Sequence, residues 1–179
     1  PETTQDTTGQ PDTTGGSDIT TDPTAVQTTA IDGHSRTVVN ASSSAHWTHL
    51  SLFTGALSVP APAGNDAFHL GLQRYLVKLG DGVSVLTLDG VDFAALTAAP
   101  AEGEWKVDGG TPETAAISDW WTYDGQNHVL SAKPDRLYVV KAEQRTFKVR
   151  FRDYYDQAGS PGTVTFDWAE IDAPEMSGE

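Results

Sequence analysis

A chain of 179 residues, 37% hydrophobic and 20% charged, is long enough for one ordinary domain, and with no run of about eighteen apolar residues it is too polar for a membrane helix. A formal net charge of −14 argues against nucleic acid, whose phosphates require a basic surface. The absence of cysteine excludes disulfides, thiolate metal sites and a cysteine nucleophile.

Residues 1–33 are mostly Thr, Gly, Asp, Pro and Gln, carry no Lys or Arg, and hold only Ile19, Val26 and Ile31 as sizeable apolar side chains. Such a stretch buries too little surface to offset its ordering entropy, so it reads as a flexible tether. Residues 34–173 form the domain and 174–179 a short tail. Within the domain, strand patterns cover 36–40, 46–53, 67–79, 83–88, 104–107, 117–123 and 128–130. In the long segment Phe68, Leu70 and Leu72 share one phase while Tyr75, Val77 and Leu79 share the other, which predicts a bulge or bend near Gln73 and Arg74. One helical candidate exists, residues 92–97, where Asp92 caps the first turn and Pro100 closes the segment.

The last third is the most regular. Arg136-Leu137-Tyr138-Val139-Val140-Lys141, then Thr146-Phe147-Lys148-Val149-Arg150-Phe151-Arg152, then Thr163-Val164-Thr165-Phe166-Asp167-Trp168 alternate apolar and polar residues across short, turn-rich joints. This is a β-meander with Phe147, Val149 and Phe151 on one face and Lys148, Arg150 and Arg152 on the other. The basic face reads as an ordinary solvated outer face, with reception of an anionic group as the alternative. The whole pattern predicts an all-β fold of antiparallel sheets with at most one short helix.

Several words of this sequence, taken together, resemble the HmuY family of bacterial haem-binding surface lipoproteins. They are the terminal meander; Val39-Asn40-Ala41-Ser42 with Trp47 leading through Leu50-Ser51-Leu52 to Gly55; Leu70-Gly71-Leu72-Gln73-Arg74-Tyr75 with Val77-Lys78-Leu79-Gly80; and Trp121-Thr122-Tyr123. The resemblance runs with gaps from about residue 38 to 171. It implies a sheet cupped around a porphyrin, a lipid anchor attached upstream of Pro1, and a place on the extracellular face of the outer membrane or in the medium. It also implies haem or another tetrapyrrole as ligand, delivered to an outer-membrane uptake receptor or taken from a host haem protein. The membrane would be reached only through that lost anchor. No charged start followed by an apolar core is present, so an export signal is expected to have preceded this sequence.

The departures from the family bear on the iron. Between the segments 104–107 and Trp121, where the family carries an extended finger with its first axial histidine, this chain has only residues 108–119, with no histidine or methionine. Imidazole is the expected iron ligand in a thiol-free protein, which leaves His34, His46, His49, His69 and His128. His34 sits at the tether, and His46 and His49, three apart in a strand, diverge. His128, in a turn near the family's second axial position, is the expected metal ligand, with His69 second. For each the ordinary reading remains a surface or hydrogen-bonded role, since metal sites need convergent ligands. Of the consecutive Trp120 and Trp121, a strand turns one inward and one outward, and the outward ring, expected to be Trp121, is the better ligand-binding candidate. No Gly-x-Ser-x-Gly, His-Glu-x-x-His, phosphate loop or Rossmann signature is present, so no enzymatic activity is expected. Three functions stand: a haem or tetrapyrrole carrier feeding uptake, a surface binding or adhesion module on the same scaffold that has lost haem ligation, or a purely structural accessory of a surface complex.

Overall fold

The structure, a computed structural model, describes residues 20–58 and 68–174. Among these described residues it is all-β, as the alternation predicts, with twelve strands in three antiparallel sheets. Six strands form the main sheet in the order β1 (Val26–Ile31), β2 (His34–Asn40), β12 (Pro161–Ile171), β11 (Arg145–Tyr155), β10 (Arg136–Ala142) and β7 (Val83–Asp89). Four shorter strands, β4 (Ala56–Leu57), β3 (Thr48–Ser51), β5 (Leu70–Gln73) and β6 (Leu76–Leu79), form the second sheet, and β8 (Trp121–Asp124) and β9 (Val129–Ala132) a separate ribbon.

One core joins all three sheets. Phe147, Val149 and Phe151 lie on the same buried face as Val164 and Phe166, because β11 and β12 pair with Phe151 opposite Phe166 and Val149 opposite Trp168. Leu50, Leu70, Leu72, Val77 and Leu79 of the second sheet, with Leu52 just after β3, pack onto this face, and Trp120 closes it by stacking on Phe151 at 4.7 Å between centroids.

The structure departs from the sequence reading at five places. Residues 26–31, assigned to the tether, form β1, paired along its whole length with β2 and anchored by buried Ala25 and Val26; residues 1–19 of the predicted tether lie outside the described residues. The alternating polar threonines of β1 mark an edge strand, which buries little and so resembles a tether in composition. Of the segment 67–79, whose first residue lies outside the described residues, residues 70–79 are a hairpin rather than part of one bent strand. Leu70 pairs with Leu79 and Leu72 with Val77, so an even position always faces an odd one and the apolar phase switches between the arms. Arg74 turns the chain with φ 55°, a left-handed conformation suited to a two-residue hairpin loop.

Residues 92–97 make turns and no helix. Asp92 accepts from the backbone N–H groups of Ala94 and Ala95, but Lys148 takes the carbonyls of Phe93 and Leu96, and Arg150 takes that of Val91 just before Asp92. Those cations overturn the solvated-face reading of β11. Lys148, 7% exposed as a residue, donates from its ammonium to the carbonyls of Phe93 and Leu96 at 2.6 and 2.8 Å, and Arg150 donates to that of Val91 at 2.6 Å. The segment is thereby strapped across the outer face of the main sheet, over a second small core of Leu86, Ala99, Leu137, Val139 and Ile171. The pattern at 104–107 reduces to a single bridge between Lys106 and Val85.

Candidate ligand cleft

The cleft is assembled from three turns of chain. At the tip of the β5–β6 hairpin, the Arg74 N–H donates to the Ala41 carbonyl and the Tyr75 carbonyl accepts from Trp120 Nε1 at 2.9 Å, so both ends of the tip are held. Tyr75 consequently meets Trp121 edge to face, with centroids 5.2 Å apart. Trp120, the residue before β8, is buried, and Trp121, the first of β8, is half-buried, an inward and an outward ring.

The second contributor is the end of β11. Its pairing with β12 slips between Phe151 and Asp153 and again before Tyr155, and Asp153 accepts from the backbone N–H groups of Tyr154 and Tyr155. Such irregularities re-aim side chains, and here two consecutive tyrosines face the cleft. The buried Tyr154 hydroxyl has its pKa raised by desolvation, and the Tyr155 hydroxyl accepts from the Leu130 N–H at 2.9 Å, tying the ribbon to the body.

The third is the loop of the β8–β9 ribbon. Asp124 accepts from Gln126 and Asn127 and so closes a tight loop that ends in His128 with φ 56°. His128 is exposed, and its Nδ1 shares a 2.7 Å hydrogen bond with the Tyr123 hydroxyl. Its Nε2 has no hydrogen-bond partner among the described residues. A histidine held through one ring nitrogen with the other turned outward is the arrangement from which imidazole ligates metals.

Tyr75 and Trp121 form a wall shared by two clefts. One, of about 360 Å³, is lined by Trp47, Val77, Leu79 and Ile117; the other, of about 650 Å³, by Arg74, Tyr123, His128, Leu130, Tyr154 and Tyr155. The second lies within the range of about 300–1,000 Å³ usual for ligand sites, and it combines ring faces with one imidazole and one guanidinium.

The structure brings His128 and Trp121 together on this cleft and leaves His69 elsewhere. His69 is buried against Phe53, and its Nδ1 accepts from the Leu52 N–H at 2.9 Å. Burial lowers its pKa, so the neutral ring carries its proton on Nε2 and has no lone pair left for iron. The hairpin, which the sequence reading took for a bent strand, is what turns His69 away. His34 opens β2 with Nε2 3.7 Å from Asp167 and its ring edge-on to Phe93, and His49 stacks on Phe68. Tyr75, Arg74, Tyr154 and Tyr155 are cleft residues that sequence reasoning missed; the only signal available for the tyrosines was the break in alternation after Phe151.

Fold and cleft together define an antiparallel β scaffold with an open cleft lined by aromatic rings. The model of the HmuY protein family matches residues 43–168, and the chain belongs to that family. Three solved structures share the fold. A Bacteroides fragilis protein described as a lipoprotein aligns at a TM-score of 0.62 with 19% identity, covering 78% of this chain and 90% of that one. A Bacteroides vulgatus protein described as HmuY-like and haem-binding aligns at 0.61 with 19% identity, covering 80% and 96%. The apo form of a Tannerella forsythia HmuY analogue aligns at 0.61 with 14% identity, covering 84% and 98%. No curated protein matches the sequence.

Proposed function

We propose that this protein binds haem or another tetrapyrrole in the cleft between Tyr75, Trp121, Tyr123 and the Tyr154–Tyr155 pair, and that it does so at the bacterial surface as part of haem uptake. The observation that carries this reading is the convergence of those rings with His128 and Arg74 on one opening. A flat apolar disc gains most by lying against aromatic faces, and a propionate at its edge gains from a guanidinium. His128 offers the iron one imidazole, held through Nδ1 by Tyr123. When bound, haem would contribute its iron as the acceptor of that nitrogen. Membership of the family supports the ligand class, and the lipoprotein description of the B. fragilis neighbour supports a lipid-anchored protein outside the outer membrane. Delivery would then be to an outer-membrane receptor, with a host haem protein as the source.

The short 108–119 segment, without histidine or methionine, favours the alternative of a surface module that has lost haem ligation. Haemin titration followed in the Soret region separates the two. The tetrapyrrole reading expects saturable binding at micromolar haemin and a displaced Soret band in His128→Ala. No binding by the wild-type chain leaves the surface module.

A further inference from the structure

We infer that the cleft recognises the tetrapyrrole by its ring face and that iron is dispensable for affinity, so that metal-free porphyrins are ligands alongside haem. This rests on the tetrapyrrole reading above and narrows its ligand class. Iron can anchor a macrocycle strongly only where fixed donors approach it, and axial ligands in haem proteins are held by supporting contacts. The donor set here is thin. Of the five histidines, His69 has its lone pair engaged by Leu52, His49 lies buried on Phe68, His34 faces Asp167, and His46 is exposed on the loop before β3. His128 alone reaches the cleft among the described residues, and it does so from an exposed loop in which residues 122–129 are all solvent-facing.

The cleft's Tyr123, Tyr154 and Tyr155 are phenols whose oxygens are already committed or protonated. Tyr155 accepts from Leu130, Tyr123 bonds His128, and desolvation holds Tyr154 above its ordinary pKa. A phenol binds iron as its phenolate, so these groups present ring surface rather than a charged donor. By contrast the ring surface is well fixed: Tyr75 is pinned through its own carbonyl, Trp121 by Tyr75, and Tyr154 by Tyr75 and Trp120. Burial of an apolar disc against such faces depends on area and is indifferent to a metal at its centre. The geometry therefore supplies a preorganised stacking site with an optional, weakly supported axial contact.

The test titrates the full chain with haemin and, separately, with metal-free protoporphyrin IX, following tryptophan fluorescence. Dissociation constants within about tenfold of each other are expected, with His128→Ala weakening haemin by less than about fivefold while displacing its Soret band, and Trp121→Ala weakening both ligands by more than about tenfold. Should Trp121→Ala fail to fold, competition on the wild-type chain decides instead, and protoporphyrin must displace haemin at one-to-one stoichiometry. Haemin binding with protoporphyrin weaker by about a hundredfold or more, or lost altogether in His128→Ala, overturns the inference and leaves the tetrapyrrole reading standing. Failure of both ligands to bind the wild type overturns the two together.

Discussion

His49 lies flat on Phe68, its ring centroid 3.8 Å away and the planes 12° apart, and neither of its nitrogens has a hydrogen-bond partner among the described residues. At 1% exposure, desolvation followed by the positive Lys78 nearby lowers its pKa to about 4. The folded state thus resists a proton that the unfolded chain accepts near pH 6.5. Stability from this group is complete above pH 6.5 and is lost as pH falls toward 4, by on the order of 3 kcal/mol across the window. Denaturant melts of His49→Phe between pH 7 and 4 are expected to lose most of that slope; an unchanged slope would assign it to the carboxylates. Phe151, between Trp120, Tyr138 and Phe166, makes the second case. Phe151→Ala is expected to cost about 3–5 kcal/mol in urea unfolding, the usual range for emptying an aromatic core site. The core face of Phe147, Val149 and Phe151 was legible because strand alternation is a local signal. The place of His69 was not, since it depends on a hairpin whose apolar phase mimics a bulge.

The strap over the main sheet depends on Lys148, whose ammonium sits on two carbonyls and 4.5 Å above the Phe93 ring. Lys148→Met keeps the apolar stem and removes the charge. It is expected to leave both carbonyls unpaired, at about 1–3 kcal/mol, and to raise hydrogen exchange at residues 91–99 ahead of the sheet beneath. Uniform loosening of β10 and β11 would contradict this. In sequence the strap looked like a capped helix, because an Asp that accepts from the next N–H groups serves a turn as well as a helix, and the cations that decide between them lie more than fifty residues away. β1 is the opposite case, an element whose composition hid it. Its Thr28 hydroxyl bonds both Thr37 and the Gly55 carbonyl, coupling the two larger sheets. A chain beginning at His34 is therefore expected to melt several degrees below one beginning at Thr20, as a loss of even about 1 kcal/mol would do in a domain of this size. Equal midpoints would return β1 to the tether.

Across the whole molecule the charge of −14 opposes a dianionic porphyrin, with Arg74 the nearest compensating group at the cleft. Long-range repulsion is screened by salt while contact at the cleft is screened less, so porphyrin association is expected to quicken as ionic strength rises, the reverse of a steered encounter. Stopped-flow rates at low and high salt read this directly, and a slowing would place a local basic field in command. The all-β class was legible, since the central strands leave their period of two in the sequence, whereas edge strand β1 and the β5–β6 hairpin were not. The cleft was legible only at His128 and Trp121, because its other members meet through turns distant in the chain. The ribbon that carries those two residues is fastened to the body through Leu130, whose N–H donates to the Tyr155 hydroxyl, while its tip bonds within itself. Loops of that kind drift in length and composition without disturbing the registers behind them. The sheets and the mouth of the cleft are thus separately variable, and the scaffold can stay intact while the groups that meet a ligand change.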